Sequence, residues 1–257
     1  MLTAEQCEKI KQLGEKEKEI SKEIKSCIKS DKEGVFPVVD GIINIDNYVT
    51  AEYKILWLLK EPWGIWDKDK ETGKPKLGGG SFPISYNKLS LEELEKEKYL
   101  LTARRVMEVT AAILRKTENK EDKLEALKSI AYVNIKKIPI DGDIRKISNK
   151  KELQEAYKEH RKLIKKQIDT YCPDIVICGN TLGYLPDDDC FDRKKTKRVP
   201  PIRYSQYCYY LTNNRLWINV HHPSYPKLNG GENFLKYKNR ITSAVKDWED
   251  FKKGMSE

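Results

Sequence analysis

Two rhythms of apolar and polar positions run through this chain. Short, nearly uninterrupted apolar stretches at about 54–60, 130–136, 174–179 and 215–220 contain "ILWLL", "IAYVNI", "DIVIC" and "LWINV" and read as strands. Around them apolar residues fall at helical spacing. Residues 3–30 carry Ile10, Leu13, Ile20, Ile24 and Ile28 as a narrow stripe, which predicts a helix laid across the domain with a solvated, charged outer face. Residues 91–116, 120–129, 150–171 and 232–252 repeat the helical spacing, and Ser90 with Glu93 forms a capping box at the first. Residues 63–89 and 192–203 follow neither rhythm and read as loops, the first holding Gly78-Gly79-Gly80 and the second the basic run "DRKKTKRVPPIR". Strands separated by helices predict a three-layer α/β/α sandwich around a mainly parallel, four-stranded sheet. Residues 1–34 are read as a charged helical extension packed on the core, and 35–257 as the α/β domain.

Charge sharpens the partner class. With 257 residues, 35% of them charged, and a formal net charge of +9, the chain favours a polyanion such as nucleic acid, although a generic Lys-rich protein carries similar numbers. Six cysteines are scattered without a CxxC pair or zinc-ligand spacing, so neither metal nor cofactor is expected. No leader is recognised, and the apolar runs are too short to cross a bilayer, which predicts a reduced, cytoplasmic setting.

Three strand ends carry the chemistry. Ligands of parallel α/β sheets bind beyond the carboxyl ends of the strands. There the chain offers Glu61 in "LLKEPWG", Asn134 in "YVNIKKIP" and His222 in "NVHHPSYP". Hydrolysis of a base–sugar bond builds positive charge on the sugar and negative charge on the departing base. A carboxylate near the sugar steadies the first and orients water; a neutral imidazole donates to the base oxygen where the second collects. An amide offers a donor and an acceptor side by side, matching a pyrimidine edge. Each residue also has a plainer reading: Glu61 paired with Lys60 or another surface base, Asn134 bonded to a neighbouring backbone, His222 structural. His221 is expected to point away from His222 by strand alternation. His160 reads as a core histidine, Asn180 as a cap, and Asp187-Asp188-Asp189 as a solvated loop.

At these residues, from about Tyr53 to Ser224, the chain resembles the uracil-DNA glycosylase superfamily. "LLKEPWG" is similar to the first motif of its iron–sulfur branch, "YVNIKKIP" to the strand that reads the base, and "NVHHPSYP" to the second active-site motif. The resemblance implies a glycosylase-like α/β fold, Glu61 and His222 as catalytic residues, and Asn134 as the base reader. It also implies a stacking aromatic, for which Phe82 and Tyr86 both stand in place. Lys60 replaces the family's glycine, and the cluster cysteines are missing, so no iron–sulfur cluster is expected. Trp63, Gly64 and the glycine run then suit a widened pocket for uracil or for a bulky, virally modified cytosine, as superfamily members remove in defence against phage. The implied partner is double-stranded DNA gripped by a monomer, with one nucleotide flipped out to leave an abasic site. Ser224 would contact the DNA, Tyr225 or Leu228 would fill the gap as a wedge, and Lys194, Lys195, Lys197 and Arg198 would meet phosphates. The alternatives are a binding module of this fold without chemistry, and a metabolic α/β enzyme.

Overall fold

Side-chain parity along the central strands divides the interior in two. A computed structural model describes residues 2–254 except 63, 65, 70, 98–99, 141–147, 186–195, 200–206 and 213. Strands β3 (Ile55–Leu59), β6 (Ile130–Asn134), β7 (Ile175–Gly179) and β10 (Leu216–Val220) are parallel, in the order β6-β3-β7-β10. Ile55, Trp57, Ile130, Tyr132, Ile177 and Ile218 enter one buried cluster; Leu56, Leu58, Ala131, Val133, Val176 and Trp217 enter the other. Strands buried on both faces need helices on both faces. The first cluster is closed by α5 (Leu101–Ile113), α6 (Lys120–Lys128) and α8 (Gly231–Lys253). The second is closed by α1 (Ala4–Cys27), α2 (Ile45–Thr50) and α7 (Lys150–Tyr171).

The sheet is larger than the four strands expected. Antiparallel β2 (Gly41–Ile42) joins it beside β6, and β8 (Lys197–Val199) and β9 (Cys208–Leu211) extend it beyond β10, making seven strands among the described residues. The supposed loop at 63–89 also holds structure. β4 (Trp66–Lys68) and β5 (Pro75–Gly78) form a ribbon that pairs with β1 (Val35–Phe36), and α3 (Phe82–Asn87) follows. The helix expected over 91–116 is two helices: α4 (Leu91–Lys96) ends at Glu97 in extended geometry before α5 begins. Ser90 and Glu93 do form the capping box of α4, by bonds of 3.2 and 2.8 Å.

The topology points to one rim. The chain runs from β3 outward to β6, then crosses back to place β7 on the other side of β3. Such a reversal opens a crevice at the carboxyl ends of the strands flanking it. Leu59 is level with Asn134, and Val220 with Gly179, so all four parallel strands end there together. None of the described helices is long and apolar enough to cross a membrane.

Candidate functional site

Asn134 is the last residue of β6 and shares the face of Ile130 and Tyr132. Its backbone N–H donates to Asp40 Oδ2 at 2.6 Å. Its side chain is 1% exposed, and neither Oδ1 nor Nδ2 has a hydrogen-bond partner in the protein. Buried amides are nearly always bonded, and leaving one open costs about 1–3 kcal/mol. The reading in which this amide serves a neighbouring backbone is thereby removed.

Aromatic rings lie on the same face. Phe82 and Tyr86 pack against Tyr132, with ring centroids 5.3 and 5.5 Å from it. Tyr86 is buried edge-on beneath, whereas Phe82 is only half-buried. Of the two candidates, Phe82 alone keeps ring surface for stacking, and Tyr86 supports it from below.

Glu61 lies two residues past β3. Its Oε1 accepts the Ser148 N–H at 3.3 Å, and its Oε2 is buried without a partner. Local sequence explains that contact. Asn149 and Glu152 form the capping box that starts α7, which fixes Ser148 at the helix entrance, and Lys136 Nζ donates to Ser148 Oγ at 3.0 Å. Burial holds the Glu61 carboxyl above its ordinary pKa, against the Ser148 N–H and the charges of Lys60 and Lys136. Among the described residues Glu61 makes no ion pair with Lys60 within 4.0 Å.

His222 follows β10 by two residues. Gly179, at the end of the neighbouring β7, makes room for Leu59: a Cβ there would stand 2.5 Å from Leu59 Cδ2, while His222 Cα lies at an ordinary contact distance of 3.5 Å. The Ser224 N–H donates to His222 Nδ1 at 3.2 Å, and Ser224 Oγ lies 2.8 Å from the same nitrogen. An accepting Nδ1 assigns the remaining proton to Nε2. Burial, aided by the charge of Lys60, pushes the His222 pKa down to about 4, so the ring is neutral near pH 7. Its neighbour His221 has different surroundings, stacking on Tyr225 with centroids 4.4 Å apart.

Two buried polar anchors were not foreseen. Arg105 of α5 donates to the Pro223 carbonyl at 2.5 Å and to Asn229 Oδ1 at 2.9 Å, tying both ends of the turn after His222. Its signal was a charge inside the apolar register of α5, between Ala103 and Val106. Beneath Asn134, Lys137 Nζ donates to both Asp40 oxygens at 2.7 Å and to Gln167 Oε1 at 2.9 Å, all three side chains fully buried.

Several expectations move. Leu228 is folded into the core at 7% exposure, so it is not an available wedge; Tyr225 is half-buried against His221, and Ser224 is exposed. Gly64 provides close packing rather than pocket width, since a Cβ would stand 2.7 Å from Leu77 Cδ1 and 3.1 Å from Pro139 Cβ. Lys197 pairs with Leu211, which pairs with Leu216, and so sits at the end of the sheet opposite the rim. Arg198, one step along, lies over the Tyr210 ring at 5.9 Å. Trp63, Lys194, Lys195 and Asp187-Asp188-Asp189 lie outside the described residues. His160 is a core residue, its Nδ1 3.1 Å from the Ile135 carbonyl. Asn180 is no cap: it takes left-handed geometry (φ 60°) in the turn after β7. Among the described residues no group of three or more His, Cys, Asp or Glu side chains is placed to hold a metal ion.

The rim therefore gathers an open amide, a partly free carboxylate and a neutral imidazole from three strands. The chain matches no protein-family model and no curated protein sequence.

Proposed function

We propose that the protein is a DNA glycosylase of the uracil-DNA glycosylase type, which extrudes a non-standard pyrimidine and hydrolyses its N-glycosidic bond. The observation that carries this reading is the Asn134 amide, buried and unbonded at the rim while its backbone is pinned by Asp40. An open donor beside an open acceptor is satisfied by the edge of a pyrimidine, with either amide rotamer available, so uracil and cytosine edges both fit. Phe82 supplies a face for stacking.

The chemistry follows from charge. As the bond to the base lengthens, the sugar becomes cationic and the base anionic. Glu61 Oε2 steadies the cation and directs water to it, while Ser148 holds the other oxygen. His222 donates from Nε2 to the base oxygen, and its low proton affinity keeps it a neutral donor. Lys60, whose charge acts on both Glu61 and His222, adds positive potential near the departing anion. Donors fixed in advance, in a site with little water, contribute most of such a barrier reduction.

The test is incubation with uracil-containing DNA and with glucosylated-cytosine phage DNA, followed by alkali. Strand breaks on one of these are expected. Their absence on both, with DNA still bound, would identify a binding module of the same fold. Glu61→Gln and His222→Ala should each slow release by about two to three orders of magnitude.

The pH dependence follows in sign. A raised Glu61 pKa means that its proton is held to higher pH than the ordinary carboxylate value of about 4.3. The rate should fall toward acid with a midpoint above that value, before His222 charges near pH 4. The residual rate of Glu61→Gln should lack this limb. A wild-type midpoint at or below the ordinary value would remove Glu61 from the ionised role.

A further inference from the structure

Beside the rim, on the α8 side of β10, lies an open cleft of about 420 Å³ that the chemistry above does not use. Lys227, Lys236 and Arg240 line it, together with His221, Tyr207 and Tyr225. Lys236 is paired with Glu232 one helical turn earlier. Lys227 and Arg240 are exposed and have no carboxylate within 4.0 Å among the described residues; Arg240 lies over the Tyr207 ring at 5.7 Å. His221 is held neutral by burial and by the charges of these same two residues. The floor is built: Tyr237 OH donates to the His221 carbonyl at 3.1 Å, and Asn233 Nδ2 to the Lys227 carbonyl at 3.0 Å. Two uncompensated cations above stacked rings form a site for an anion carried on something flat.

We infer that this cleft takes a backbone phosphate of the nucleic-acid strand flanking the extruded nucleotide, with the adjoining base against the exposed part of Tyr225. The assignment of the strand rests on the function proposed above. His221 lines the cleft and His222 the rim, and adjacent Cα atoms are about 3.8 Å apart. In the inferred path, a strand whose target nucleotide occupies the rim carries a neighbouring phosphate to Lys227 and Arg240. Stacking on Tyr225 is indifferent to base identity, so the site binds strand rather than sequence.

The test is the salt dependence of binding to a fluorescently labelled DNA duplex, compared between wild type, Lys227→Ala/Arg240→Ala, and a charge-matched control. Lys11→Ala/Lys18→Ala serves as that control, being exposed on α1 against the opposite face of the sheet. Each lost phosphate contact reduces the slope of log affinity against log salt by about 0.7–0.9. The cleft variant should lose about 0.7–0.9 units of slope and up to about tenfold in affinity near physiological salt, while the control matches wild type. An unchanged slope in the cleft variant overturns the inference even if base release is observed. Loss of slope without base release from any modified DNA leaves the cleft standing and removes the glycosylase reading. Deoxycytidine monophosphate binding more tightly than the duplex, and displaced by inorganic phosphate, would make this a mononucleotide pocket and overturn the strand assignment.

Discussion

On the proposed glycosylase function, replacing Asn134 with leucine will make the protein more stable and strongly reduce base release. The two effects have one cause. The wild-type amide is buried with both polar atoms open, a cost of about 1–3 kcal/mol that an apolar side chain of similar volume does not incur. Leucine also keeps the backbone N–H that Asp40 accepts, so the strand end stays in place. For a chain of this size each kcal/mol shifts Tm by about 2–4 °C, so a rise of several degrees is expected by calorimetry. Base release should fall by about two orders of magnitude or more, because a pyrimidine edge entering the rim would meet no donor or acceptor. Asn134→Asp separates recognition from stability. It offers acceptors alone when ionised, and should lose release while also losing Tm, since an unpaired buried charge replaces an unpaired amide. A fall in Tm for the leucine variant would show that the amide serves the fold instead.

The strands were legible because burial on both faces writes itself as continuous apolar sequence, and β3, β6, β7 and β10 each do so. The elements that went unread lack that imprint. Trp66, Asp67 and Lys68 of β4 are all exposed, so no period marks the ribbon. The division between α4 and α5 falls at Glu97, where neither glycine nor proline signals a stop. Lys197–Val199 is an edge strand, and the basic residues that suit such an edge, Lys197 and Arg198, also make it read as a basic loop.

The placement of the three candidate residues was legible for the same reason. Glu61, Asn134 and His222 stand where apolar runs end, and parallel strands with level ends bring those positions to one rim. What holds them is non-local. Ser148 reaches Glu61 from 87 positions away, and Arg105 reaches Pro223 across 118. No local period encodes such contacts, and Asp40 stands in a stretch where the apolar pattern predicts no element. Leu228 shows the converse error: a surface-like turn sequence gave no sign that its side chain enters the core.

Lys137→Met will give the largest stability loss among single changes near the site. Its ammonium bonds both oxygens of Asp40 and the Gln167 carbonyl oxygen, with no exposure to water. Removing it strands the Asp40 carboxylate in the interior. Breaking a buried pair in this way costs about 3–5 kcal/mol. At about 2–4 °C per kcal/mol, Tm should fall by roughly 6–20 °C. Removing both charges is a gentler change. Asp40→Leu/Lys137→Met removes the stranded Asp40 carboxylate; the Asn134 N–H loses its acceptor and Gln167 loses the Lys137 donor and the Asp40 Oδ1 acceptor, so the deficit should be smaller than that of Lys137→Met alone. The recovery in Tm should not restore base release. Asp40 is a positioning residue: through the Asn134 N–H it sets where the open amide stands, and the double variant has lost that bond. Single-turnover rate at saturating protein is the deciding measurement. A rate that stays low while Tm and DNA affinity return assigns Asp40 to the orientation of Asn134; a rate that returns with Tm reduces the pair to support of the fold.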